Sequence, residues 1–512
     1  MARTASTRKR RPRTPTLGGG PRTPNYWKLI NPFPPVSAFS EDRIDDIHNN
    51  AFVVLEEMGI RVLLPEARKI FRQGGALVDE DTEMVRIGRE IIAEALKTAP
   101  PEFMLRAGTR ERDLEMKLGT LTFLPGAGAP YATDLQRGRR PSSLSDYREL
   151  VMLTQCFDAL HMVNPLVEAQ DIPNNLRHYS VIETQLTLSD KFPSAYARGS
   201  PQTLETFEII KNFRGLSDDE FQAEPWCYTI INTNSPRVLD IPMAQGIIDF
   251  SCHGQMTVVT PFCMMGAMAP ASVAGALILS HAECLAGLTL AQINNPGAPV
   301  CYGAFASNVD MKSGAPAFGT PEQFQANLGS GQLARKVGLP WRCAAGSSAN
   351  VNDAQAANET QMGLWSCIMA GSTILVHSAG WIEGGLTVSF EKLITDMEVV
   401  QIIAELCAPT PESEDDLAMR ALREVDPGGH FFGCQHTMDR YQSAFYDPLI
   451  ADWSNFGTWT ENGEQDASQR ALTKWQDIIA NFEPPKINED RKAEMEEFIA
   501  KRTAEGGAFP VS

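Results

Sequence analysis

Pro299-Val300-Cys301-Tyr302-Gly303-Ala304-Phe305 is a short apolar run that ends on small residues and leads, through a loop, into Thr320-Pro321-Glu322. A run of this length bounded by Gly and Pro reads as a strand buried on both faces, as parallel strands are. A Thr before a Pro at the first helical turn reads as a helix start, because the hydroxyl accepts from a free N–H and proline has none to lose. The same unit recurs at 121–124, 160–164, 194–198, 226–232, 256–261, 341–346 and 373–377, giving eight runs whose starts lie 30 to 43 residues apart. Further helix starts read at Ser200-Pro201, Ser235-Pro236 and Ala269-Pro270, with Ser145 and Asp353 serving without proline. Eight strand–helix units predict an α/β chain closed into a (β/α)8 TIM barrel, spanning residues 119–408.

The flanks read differently. Residues 1–26 hold Arg3, Arg8, Lys9, Arg10, Arg11, Arg13 and Arg22 with almost nothing apolar to bury, which predicts a disordered basic tail. Residues 27–118 read as an N-terminal helical extension. Ser40 caps a helix carrying Ile44, Ile47, Phe52, Leu55 and Met58 and ended by Gly59, followed by helices over 65–73 and 89–98. Residues 409–512 read as a C-terminal helical cap, with helices over 412–424, 466–482 and 489–503.

A formal charge of −18 argues against nucleic acid or an anionic membrane as a partner of the folded body. No uninterrupted apolar run reaches the roughly 18 residues of a membrane span, and no apolar segment of signal type follows the basic N-terminus, so the reading is cytoplasmic. The ten cysteines, scattered from Cys156 to Cys434 without a C-x-x-C pair, read as reduced core residues. Cys434-Gln435-His436 stands alone and predicts no metal.

A barrel of this kind builds its site from the carboxyl ends of its strands. There the sequence offers Tyr131, Asn164, Arg198, Asn232, Asn234, Phe262, Phe305, Ser347, Asn350, His377 and Trp381, among many Gly and Ala. Carboxylates are scarce, Glu383 and Asp310 being the nearest. Aromatic and neutral polar groups converging on one opening suit a cationic or neutral small molecule. His377 is the most suggestive histidine, since it ends the last strand and is followed by Ser378-Ala379-Gly380-Trp381. No P-loop, no serine-hydrolase triad order and no dinucleotide fingerprint is present.

Several stretches resemble the trimethylamine methyltransferase family, whose members demethylate methylated amines and pass the methyl group to a corrinoid protein. They are Pro125-Gly126-Ala127-Gly128-Ala129-Pro130-Tyr131, Asp310-Met311-Lys312-Ser313-Gly314-Ala315-Pro316, Asp353-Ala354-Gln355-Ala356, His377-Ser378-Ala379-Gly380-Trp381-Ile382-Glu383-Gly384-Gly385-Leu386-Thr387, and Gly428-Gly429-His430-Phe431-Phe432-Gly433. Trimethylamine-type members carry pyrrolysine, whereas every position here is a standard residue, with 346–353 the candidate segment for the replacement. The resemblance therefore points to the non-pyrrolysine branch, similar to glycine betaine:corrinoid methyltransferases.

That likeness implies a quaternary amine substrate, no tightly bound cofactor, and cobalamin supplied by a partner corrinoid protein, since the chain lacks a D-x-H-x-x-G segment. It implies substrate contact by His377, assigned the catalytic position. Tyr131, Phe262, Phe305 and Trp381 are expected to form an ammonium cage. Asn232 or Arg198 should join His377 on a substrate carboxylate, and Glu383 is also expected to bind substrate. Trimethylamine, another tertiary amine or a sulfonium remain alternative substrates, tetrahydrofolate an alternative acceptor, and non-catalytic amine binding an alternative role. Homo-oligomerisation is left open.

Overall fold

The computed structural model describes residues 25–511, so the expected basic tail lies outside the described residues except at its end. Six of the eight predicted runs form regular strands: β1 (Thr120–Phe123), β2 (Tyr228–Ile231), β3 (Met256–Val259), β4 (Val300–Gly303), β5 (Trp341–Ala344) and β6 (Ile374–Val376). They pair in parallel in the order β1-β6-β5-β4-β3-β2. Every residue of β3 to β6 is buried, as expected for strands covered on both faces. The other two runs, 160–164 and 194–198, make isolated contacts instead of regular ladders. His161 N donates to Phe123 O at 2.9 Å, Met162 bridges Phe192, and Ser194 bridges Tyr228. Pro165 and Pro193 flank these segments, and each lacks the N–H that a longer ladder needs. The architecture is α/β, a parallel sheet with helices in the connections.

Three of the connecting helices are α1 (Val273–Asn294), α2 (Ala354–Met369) and α3 (Phe390–Leu406). Ser272, Asp353 and Ser389 cap them by accepting from backbone N–H groups in the first turn. Thr320 likewise caps Pro321–Val337. Other helix starts fall elsewhere than the sequence suggests. Ser143 rather than Ser145 caps Leu144–Cys156, and Gly199 precedes Ser200–Arg214. Ala269 has no side-chain acceptor, so α1 waits for Ser272. Ser235-Pro236 lies in a turn with a cis peptide bond, and Asp240 caps the following helix, Ile241–Cys252.

By length and composition α1 could cross a membrane, although His281 and Glu283 interrupt its apolar run. The helix is mostly buried, packed against Glu41–Val53 and Arg89–Thr98. It is apolar all round because neighbours cover it all round.

Ahead of the sheet, Ser40 caps Glu41–Val53, and Pro65–Gln73 and Arg89–Thr98 form as expected. This region is not wholly helical: Ile60–Val62, Met84–Arg86 and Leu77–Asp79 make an antiparallel sheet, which Val238–Leu239 extends in parallel. Toward the C-terminus, Ala467–Ala480 packs along α3 and Glu489–Ala504 along Ser200–Arg214. The described chain forms two compact units, the smaller comprising Ala408–Pro448 with Asn25. Within it, Met419–Glu424 and Gln435–Arg440 are short helices, and Arg440 pairs with Asp415.

Burial has a consequence for acid stability. It holds His48 and His178 at about 4 and His161 at about 3, and depresses His281 and His377 well below the ordinary value. Below about pH 6.5 the unfolded chain takes up protons at these imidazoles that the native state refuses, so stability falls as pH falls. A melting temperature that declines from about pH 6.5 toward 5 is the expected result. A flat profile over that interval would contradict it.

Candidate active site

A cavity of about 470 Å³ lies at the carboxyl ends of the strands and reaches down between them. It brings together Arg198, Asn232, Phe262, Phe305, His377 and Trp381 of the residues expected from sequence. Tyr131 and Glu383 are not on its wall: Arg139 lies 3.7 Å over the Tyr131 ring, and its Nε donates to both Glu383 oxygens at 3.0 Å. Gly384 and Gly385, beside Glu383, do line the cavity.

His377 follows β6 and adopts φ +59°, a left-handed backbone that a non-glycine residue keeps only when its surroundings demand it. Its ring stacks on Trp381 at 3.9 Å with 10° between planes, so one indole face is covered by the imidazole. Phe305 completes the group, 5.7 Å from His377 and 6.1 Å from Trp381, with Phe262 4.8 Å away. His377 Nδ1 and Trp381 Nε1 are buried without hydrogen-bond partners. Burial first, and the charge of Arg342 second, keep the His377 imidazole neutral at physiological pH.

The glycines around this group have a packing reason. A Cβ on Gly346 (φ +122°) or on Gly385 (φ +101°) would collide with the Trp381 ring. Both positions need a left-handed backbone and a close approach, which only glycine supplies.

The scarcity of carboxylates on the wall also has a structural reason. Three acidic side chains stand behind the mouth and hold its loops by accepting from them. Glu283 of α1 takes hydrogen bonds from Thr233 Oγ1, Ser235 Oγ and Arg237 N, each at 2.6 Å. Glu359 of α2 takes them from Ser347 Oγ, Ser348 N and Ala349 N at 2.7, 2.8 and 3.1 Å. Asp396 of α3 accepts from Gly380 N at 2.9 Å and pairs with the buried Lys392. Each loop thus has backbone or side-chain donors satisfied from the helix side, which leaves the cavity side to neutral and aromatic groups.

Two charged residues on the wall escape the sequence reading. Glu168 accepts from Arg198 Nη2 at 2.7 Å, Arg177 Nη1 at 3.1 Å and Tyr196 Oη at 3.2 Å. Nothing in its local sequence marks it, because it lies beyond the irregular 160–164 segment. Arg342 has a signal: it is the one charge inside the apolar run 341–346, where a buried parallel strand has no use for one. Asn164 also lines the cavity, with Oδ1 buried and unpartnered.

Known proteins are similar in sequence to this chain over nearly its whole length. Residues 4–507 match the family described as Trimethylamine methyltransferase (MTTB). The chain belongs to the trimethylamine methyltransferase family. It is 33% identical over 476 residues to a glycine betaine methyltransferase of Desulfitobacterium hafniense, covering 93% of this chain and 98% of that one. It is 28% identical over 488 residues to trimethylamine methyltransferase MttB2 of Methanosarcina mazei, covering 91% and 95%. The monomethylamine methyltransferase structure from Methanosarcina barkeri aligns over 91% of this chain and 92% of its own, at 9% identity and a TM-score of 0.44. As a member of this family the chain is a methyltransferase. Among the described residues no grouping of three or more His, Cys, Asp or Glu is placed to hold a metal ion, and the ten cysteines are unpaired.

Proposed function

We propose that this methyltransferase takes a methyl group from a quaternary amine of the betaine class and passes it to the cobalt of a corrinoid carried by a partner protein. The observation that carries the reading is the cavity: His377, Trp381, Phe305 and Phe262 converge there, and its carboxylate Glu168 is already shared by Arg177, Arg198 and Tyr196. A quaternary ammonium is a permanent cation with electrophilic methyl groups, so it needs no acid and no covalent activation. It needs ring faces, exclusion of water and one methyl held in line with a nucleophile. The identity with a glycine betaine methyltransferase over most of both chains supports the same substrate class.

The cavity has the size of a small-ligand pocket and suits an amine. A corrinoid would therefore meet it from outside, at the mouth, and its reduced cobalt would supply the nucleophile. The chain's own residues bind and orient. Phe262 and Phe305 face the ammonium, with Trp381 backing the His377 ring, while Asn232 and Asn164 offer neutral hydrogen-bonding groups. The six-strand ladder, continued through the Phe123–His161, Met162–Phe192 and Ser194–Tyr228 contacts, supports closure into the eight-stranded barrel expected from sequence. A cytoplasmic setting is part of this proposal, in keeping with the unpaired cysteines.

The test mixes the chain, a reduced corrinoid protein and a panel of methylated amines, and follows methylation of the corrinoid in the visible spectrum. Turnover with a quaternary amine is expected. Silence with every quaternary amine, or turnover confined to tertiary amines, would overturn the proposal.

A further inference from the structure

Arg342 is second in β5 and only 3% exposed. Its neighbour Trp341 donates through Nε1 to Gly371 O, away from the cavity, and alternation along the strand sends Arg342 to the cavity wall. Its Nε and Nη1 are buried with no hydrogen-bond partner. The groups that influence its charge are cysteines and Tyr228, not carboxylates, and burial pushes its guanidinium down to about 10. Its guanidinium lies 5.3 Å from the centre of the Phe305 ring, a cation–π contact. A buried guanidinium with bare N–H groups is costly, and such a group is retained where a ligand completes it.

The other guanidinium on the wall is already matched. Arg198 pairs with Glu168 and lies 4.1 Å over the Tyr196 ring. The uncompensated positive charge of the cavity is therefore at Arg342. The Phe305 ring neighbours both ends of the cavity's charge pattern, 5.3 Å from the Arg342 guanidinium and 5.7 Å from the His377 ring. A molecule whose negative and positive ends are a few bonds apart fits that spacing.

We propose that Arg342 is the anion-binding residue of the site, holding the carboxylate of a zwitterionic methylated amine while its ammonium end lies toward His377 and Phe262. The residue would then set specificity in two ways: it attracts the carboxylate, and it repels a methylated amine that carries a positive charge alone. This rests on the reading of the cavity as a quaternary-amine site, and it moves the carboxylate from Arg198, the arginine favoured by position along the sequence, to Arg342.

Calorimetric titration tests it without any corrinoid. Glycine betaine, choline and tetramethylammonium are titrated into wild type, Arg342→Met and Arg342→Lys. Wild type is expected to bind betaine about tenfold or more tighter than choline, which keeps the ammonium and lacks the carboxylate. Arg342→Met should lose that preference by weakening betaine about tenfold or more while binding tetramethylammonium as well as wild type or better. Arg342→Lys should keep part of the preference, because it keeps the charge and loses the planar fork. Equal binding of betaine and choline by wild type overturns the inference and leaves the quaternary-amine reading standing. So does an Arg342→Met variant that weakens all three ligands alike. If the Met variant does not fold, the wild-type comparison and the Lys variant decide. Wild type that binds none of the three overturns the broader reading and this inference together.

Discussion

Asp396→Asn is expected to lower the stability of the chain by about 3 to 5 kcal/mol, the usual cost of leaving one member of a buried ion pair alone. Asp396 and Lys392 sit one helical turn apart on α3 and are both almost fully buried. Lys392 Nζ also donates to Thr360 Oγ1 at 2.8 Å, so its charge is anchored where water does not reach. Burial alone drives the Asp396 carboxyl upward, and Lys392 and the Gly380 N–H oppose that. Asparagine can still accept from Gly380, but it cannot neutralise the lysine. Lys392→Met combined with Asp396→Asn should recover most of the loss, because the expensive element is the unmatched charge and not the absence of the pair. Denaturant midpoints with unchanged slopes would measure both. A single variant within about 1 kcal/mol of wild type would show that Lys392 discharges or finds another partner. The functional consequence comes from the third contact. Asp396 holds Gly380 N and asparagine keeps that acceptor, so the turn that carries His377 and Trp381 should stay in place while stability falls.

That turn shows what the sequence reveals and what it hides. Strand positions are legible because a strand buried on both faces has to be apolar throughout, and β3 to β6 fall inside predicted runs. The irregular segments at 160–164 and 194–198 read the same way, since composition reports burial and not hydrogen bonding. Only the flanking prolines hint that regular ladders do not form there. Helix starts are legible at Thr320 and Asp353, where the side chain accepts from the first turn, and fall elsewhere at Ala269, which has no acceptor, and at Ser145 and Ser235, where Ser143 and Asp240 cap instead. The small strands among the N-terminal helices carry too few residues to show a period of two.

The site is legible in part for a related reason. His377, Trp381, Phe305, Phe262, Asn232 and Arg198 sit at or just beyond strand ends, so counting along the chain brings them to one opening. Tyr131 and Glu383 occupy comparable positions in the sequence, yet Arg139, whose position in the strand pattern marks it for nothing, draws them to itself. The wall carboxylate Glu168 and the loop-holding Glu283, Glu359 and Asp396 are invisible in the sequence because their roles depend on which loops they face. Conversely, Arg342 reads as part of a core strand, although a charge inside such a strand is the kind of local conflict that marks function.

His377→Ala is expected to weaken substrate binding by at least about tenfold and kcat/KM by about a hundredfold, the range for losing a ring face packed against a desolvated ammonium together with lost positioning. The residue combines three costs that packing alone does not explain: a left-handed backbone, a buried Nδ1 without a partner, and a ring kept neutral beside Arg342. Strain and function can be separated with a second variant. His377→Gly accepts φ +59° freely, so it should be more stable than His377→Ala by about 1 kcal/mol. If the imidazole serves the substrate, both variants lose binding to a similar degree even though their stabilities differ. If His377 merely supports Trp381 by stacking, binding should instead follow stability, with the glycine variant the better binder. Unchanged betaine affinity in both variants, measured by the same titration, would remove His377 from the substrate and leave the aromatic group to hold the ammonium without it.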